Sequence, residues 1–130
     1  MNRRKALSLV TVLLALAGLV FGPGPAASAA PATVLACNDH YHTINGTDPN
    51  GHWPPYGEAR TTSYCNDINV KVTSTVSVLT CFLPSSGGTT CNAWRTVYAN
   101  TWGLAATDVR DGTRFYLVFS TTAVYGRASY

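Results

Sequence analysis

The stretch INVKVTSTVSVLTCFLPSSGGTTC, Ile68 to Cys91, decides the fold class. Its first five residues alternate, with Ile68, Val70 and Val72 on one side of an extended chain and Asn69 and Lys71 on the other, the period of a half-buried strand. The next run, VSVLTCFL, puts Val76, Val78 and Phe82 on one face and Leu79, Cys81 and Leu83 on the other. Apolar residues on both faces predict a strand with neighbours on each side. Pro84-Ser85-Ser86-Gly87-Gly88 then reads as a turn. TTCNAWRTVY, Thr89 to Tyr98, reads as the returning strand, with Ala93 and Val97 on one face and Trp94 and Tyr98 on the other.

That hairpin fixes a register. With the turn at Pro84 to Gly88, Leu83 faces Thr89, Phe82 faces Thr90 and Cys81 faces Cys91. Residues opposed on antiparallel strands hold their β-carbons about 4.5–5.5 Å apart, close to what a disulfide bridges. Four cysteines allow three pairings. The register selects Cys81 with Cys91, which leaves Cys37 to join Cys65.

Further along, Asp111-Gly112 marks another turn, and Phe115, Leu117 and Phe119 alternate with Tyr116 and Val118. No long helical period follows the leader. Short strands at close spacing predict an all-β, disulfide-stapled antiparallel sandwich or barrel, with Val70, Val78, Phe82, Trp94, Leu104, Phe115, Leu117 and Phe119 buried and Trp102 also in the core. From Ala30 to Tyr64 the chain is rich in Gly, Pro, Asn and Thr, and it reads as a loop-rich segment ahead of a β domain at 65–130.

The first residues have a different texture. Arg3, Arg4 and Lys5 precede an apolar run from Ala6 to Phe21, then Gly22 to Pro25 and the small residues Ala27, Ser28 and Ala29. This is the pattern of a secretory signal peptide over 1–29, too short a run to anchor the chain across a bilayer. Removing 29 of 130 residues leaves 101, with six basic residues against six acidic ones in place of the formal +3 of the whole chain. A chain without net positive charge or a basic stripe predicts neither nucleic acid nor a membrane surface as partner. Export and paired cysteines predict an extracellular site of action.

The segments CNDINVKV, LTCFLPSSGGTTCNAWRTV and WGLAATDVRDGTRF resemble small secreted proteins of actinobacteria of unknown function, over about Cys65 to Phe119. LAATDVRDGTRF is also similar to a corner of fibronectin type III modules, with Phe115 where those modules carry Tyr, so that corner's hydroxyl bond is missing. Neither resemblance implies a catalytic activity.

Candidate chemistry gathers before the β domain. His40, His42 and His52 are all the histidines of the chain, and in an extended segment His40 and His42 project to one face, so a zinc or copper site and a metal-dependent enzyme form one reading. The turn residues around His52 fix no direction for its ring, and the better expectation is a polar loop that binds no metal tightly. No activated-serine elbow occurs, and Asp48, Asp108 and Asp111 sit in turn contexts where Asp bonds its own backbone. No cofactor is called for. The aromatic residues Trp53, Tyr56 and Tyr64 remain as candidate ligand contacts, with Trp53 as a lid on the sheet being the competing role. The leading expectation is a non-enzymatic binding module for a cell-surface polysaccharide or an extracellular protein. An inhibitor that inserts the PSSGG or GHWPPYG loop into a hydrolase is the alternative.

Overall fold

The computed structural model describes residues 37–130, so the signal-peptide assignment at 1–29 lies outside the described residues. Within them, ten strands follow one another: β1 Tyr41–Asn45, β2 His52–Trp53, β3 Ala59–Arg60, β4 Ile68–Val72, β5 Val76–Phe82, β6 Thr90–Cys91, β7 Arg95–Val97, β8 Trp102–Ala106, β9 Arg114–Phe119 and β10 Tyr125–Ser129. They form two antiparallel sheets. One has the order β1-β10-β4-β8; in the other β2, β9, β5 and β6 lie side by side, with β3 also on β9 and β7 also on β5. The sheets pack as a sandwich around a single core drawn from both, including Ile44, Val70, Val72 and Ala128 from the first and Val78, Val97, Phe115, Leu117 and Phe119 from the second. The all-β class and antiparallel pairing expected from alternation are present, and of sandwich and barrel it is the sandwich.

Strand β5 is flanked on both edges, by β9 and by β6 with β7, the central position in its sheet that its two apolar faces led one to expect. Both expected disulfides are formed: Cys81–Cys91 across the paired positions of β5 and β6, and Cys37–Cys65 over a separation of 28 residues.

Three expectations need correction. The segment up to Tyr64 is more than loop, since it supplies β1, β2 and β3 and buries Ile44, Trp53 and Ala59. The strand expected over Thr89 to Tyr98 is broken in two. The Asn92 side chain takes the place of a strand partner: its Oδ1 accepts from the Thr80 amide at 2.8 Å and its Nδ2 donates to the Ala105 carbonyl at 2.8 Å. The chain bulges outward there, so Trp94 is 52 % exposed rather than buried. In β7 it is Val97, not the aromatic pair Trp94 and Tyr98, that enters the core.

Leu104 and Trp102 also leave the expected core. A bulge in β8 leaves Ala105 without a partner between the pairs Asn69–Leu104 and Ile68–Ala106. Ala105 and Ala106 both turn inward, while Leu104 is 43 % exposed and Trp102 half-buried on the outer face. Gly103 is the inward residue between them, pressed so close to Val97 that an added β-carbon would stand 3.1 Å from its methyl. Phe82 is half-buried and packs against the core's rim. The remaining core expectations, Val70, Val78, Phe115, Leu117 and Phe119, are buried.

Candidate functional site

The three imidazoles do not converge. His40 stacks on Tyr64 with ring centres 3.8 Å apart, His42 stacks on Tyr130 at 4.6 Å, and His52 leans on Tyr116 at 5.1 Å. His52 Nδ1 also lies 3.3 Å from Asp48 Oδ2. The other Asp48 oxygen accepts from the backbone amides of Asn50 and His52, at 2.8 and 2.7 Å, the bond to His52 being the main force holding this carboxyl below its usual pKa. Asp48 is thereby the organiser of a turn. Among the described residues no three His, Cys, Asp or Glu side chains gather as a metal-holding group.

The aromatic candidates separate. Trp53 is 6 % exposed and packs edge-on to Tyr130 at 6.2 Å, so it is a core ring in the lid position. Tyr56 is 92 % exposed in the connection from β2 to β3. Tyr64 lines a cleft of about 350 Å³ on the outer side of the four-stranded sheet.

Three pieces of chain build that cleft. A helical turn at residues 37–39, closed by the His40 amide donating to the Cys37 carbonyl at 3.1 Å, supplies Cys37 and Asn38. The connection from β3 to β4 supplies Ser63, Tyr64, Asn66 and Asp67, while β4 and β8 supply Asn69, Trp102 and Leu104. The Cys37–Cys65 bridge ties the first piece to the second. Inside the joint, Asn69 Nδ2 donates to Cys37 Sγ at 3.4 Å. Asp67 is steadied by the Asp108 amide, which donates to its Oδ1 at 3.0 Å.

The walls therefore carry two aromatic rings, one aliphatic side chain and a set of amides with one carboxylate. One of those amides is unsatisfied: Asn38 Oδ1 is buried and accepts no hydrogen bond from any described residue. The Ser129 hydroxyl, on β10 opposite Asn69, is buried without a partner as well. Leaving a buried polar atom unpaired costs about 1–3 kcal/mol, so each of these two is a local cost to the fold.

Two other clefts are lined differently. One of about 550 Å³ holds Arg60, Arg110 and Arg114, but Arg60 Nη1 donates to the Gly112 carbonyl at 2.9 Å and Arg114 forms a two-pronged pair with Glu58. The Arg114 hydrogen bonds hold the Glu58 carboxyl below its usual range and raise the guanidinium in return. The other, about 480 Å³, lies between Asp48, His52, Pro54 and Tyr116 and has no unsatisfied buried atom.

Sequence reasoning reached Tyr64 and both disulfides but missed Asn38, Asn69, Trp102 and Leu104. Trp102 and Leu104 alternate as core residues would, and the one available signal was Gly103 between them, small enough to take the inward position. Comparison with protein-family models, with curated proteins and with solved structures gives no match.

Proposed function

We propose that this protein is an exported, non-enzymatic binding module whose cleft between Tyr64 and Trp102 takes a saccharide of an extracellular polymer. The observation that carries this reading is one cleft in which the rings of Tyr64 and Trp102 stand with the amides of Asn38, Asn66 and Asn69 and the Asp67 carboxylate. A sugar ring offers an apolar face to an indole or phenol and hydroxyls to amides and carboxylates, which is the chemistry these walls provide. Two disulfides are the usual mark of a chain that folds in an oxidising compartment, and no helix among the described residues is long and apolar enough to cross a membrane.

The test is a binding screen of the purified protein against an array of neutral and acidic polysaccharides, followed by calorimetry on the best ligand. Trp102→Ala and Tyr64→Ala should each weaken binding by about tenfold or more, roughly 1.4 kcal/mol, with the fold intact because both rings lie outside the core. A ligand whose affinity ignores both substitutions would remove the cleft from consideration.

The hydrolase-inhibitor reading keeps one observation in its favour. Residues 84–89 form an exposed loop stapled at its base by Cys81–Cys91, the form of a rigid inserting loop. Inhibition of an extracellular hydrolase that survives Trp102→Ala but is lost on shortening this loop would select it.

A further inference from the structure

The outer face of the four-stranded sheet carries one row whose chemistry the cleft does not explain. Trp102 on β8 pairs with Lys71 on β4, Lys71 with Arg127 on β10, and Arg127 with Thr43 on β1. Their neighbours Val70 and Ala128 face the core, so this row faces out. Two basic residues thus occupy paired positions on adjacent strands, whose backbones lie about 4.8 Å apart. No acidic residue occupies an outward position of these strands, and neither Lys71 nor Arg127 makes a side-chain hydrogen bond or salt bridge among the described residues. Instead the Arg127 guanidinium rests over the Tyr41 ring, 4.2 Å from its centre, held in place while its charge stays available.

We propose that the Lys71–Arg127 pair binds the carboxylates of a uronic-acid polysaccharide that runs across the strands from the Trp102 cleft. This deepens, and rests on, the saccharide reading of the cleft. The row spans four strands, about 14 Å, with an aromatic surface at one end and the two cations in its middle. A uronic-acid chain carries one carboxylate on each ring, so a chain laid across these strands brings carboxylates to both cations. Charge complementarity selects it over a neutral glycan. A nucleic-acid backbone would ask for several phosphate contacts where this face offers two cations.

The experiment is calorimetric titration of the full protein with an oligogalacturonate and with the same oligomer as its methyl ester, which keeps the sugar rings and removes the charge. The acid should bind at least about tenfold tighter than the ester, and Lys71→Gln and Arg127→Gln should each erase most of that difference. Lys71→Glu should abolish acid binding while the melting temperature stays close to that of the unsubstituted protein, because the Lys71 side chain makes no hydrogen bond or salt bridge among the described residues. Equal binding of acid and ester, no binding of the acid, or acid binding that survives Lys71→Glu overturns the inference. The two readings fail separately. Ester binding lost in Trp102→Ala while Lys71→Glu leaves acid binding intact sinks the cationic row and keeps the cleft. Acid binding lost in Lys71→Gln but unchanged in both Trp102→Ala and Tyr64→Ala sinks the cleft and keeps the row.

Discussion

Tyr130 shows how much one side chain gathers in this molecule. Its ring is only 7 % exposed and meets Phe115 edge-on at 5.0 Å, Trp53 at 6.2 Å and His42 in a stack at 4.6 Å. Burial disfavours the phenolate and pushes the phenol up to about 12, above the ordinary value near 10. An unfolded chain loses this proton at lower pH than the folded one, so over that window the folded state binds more protons. The stabilisation is therefore whole below pH 10 and falls as pH rises from 10 towards 12, by about 2–3 kcal/mol. Thermal melts of the native protein and Tyr130→Phe across that range should diverge, the variant losing less stability as the pH climbs. At Asn38 the sign is different. Since its buried Oδ1 has no partner, Asn38→Ala should leave stability within about 0.5 kcal/mol of the native value or raise it, while saccharide binding falls; chemical denaturation beside calorimetry reads both.

Among the elements, the two disulfides have unequal tasks. Cys81–Cys91 closes a short hairpin that already has its register, whereas Cys37–Cys65 closes the wider loop and holds the turn bearing Asn38 against the connection bearing Tyr64. Paired Cys→Ala replacement should cost about 2–4 kcal/mol for either bridge, more for the wider loop. Only the loss of Cys37–Cys65 should also abolish binding at a temperature where both variants are folded. Strand β10 makes a second demand. At Gly126 an added β-carbon would come within 2.1 Å of the Lys71 carbonyl oxygen, so backbone passes against backbone and no side chain fits. Gly126→Ala should disrupt the β10–β4 pairing and with it the row holding Lys71 and Arg127, visible as a lower melting temperature and lost binding of the acidic ligand.

For the molecule as a whole, one core belongs to both sheets, so neither sheet keeps its apolar face covered if the other leaves. Unfolding should be a single transition, with backbone circular dichroism and tryptophan fluorescence superimposing; two separated transitions would contradict a shared core. Position in the core then sets the cost of a change. Phe115→Ala, at the centre, should lose about 3–5 kcal/mol, and Trp94→Ala, on the bulge, less than about 1 kcal/mol despite the larger side chain removed.

Alternation alone determined a good deal: β4, β5 and β9, the burial of Val70, Val78, Phe115, Leu117 and Phe119, and, through a hairpin register, both disulfide pairings. These are local properties, because a period of two assigns faces and a turn sets what lies opposite. It could not say which of two apolar faces is the inner one. That choice fell to tertiary structure at β7, where the Asn92 side chain interrupts the strand and sends Trp94 outward, and at β8, where a bulge beside Ala105 turns Trp102 and Leu104 to the surface. Nor could it assemble the cleft, whose walls come from a turn at residues 37–39, a connection at 61–67 and two strands brought together by Cys37–Cys65, by sheet pairing and by the Asn69–Cys37 contact. Lys71 and Arg127 lie 56 positions apart in the chain. Only the pairing of β4 with β10 sets the two residues side by side, because cross-strand neighbours are chosen by the packing of the whole sheet and leave no trace in the spacing of either residue.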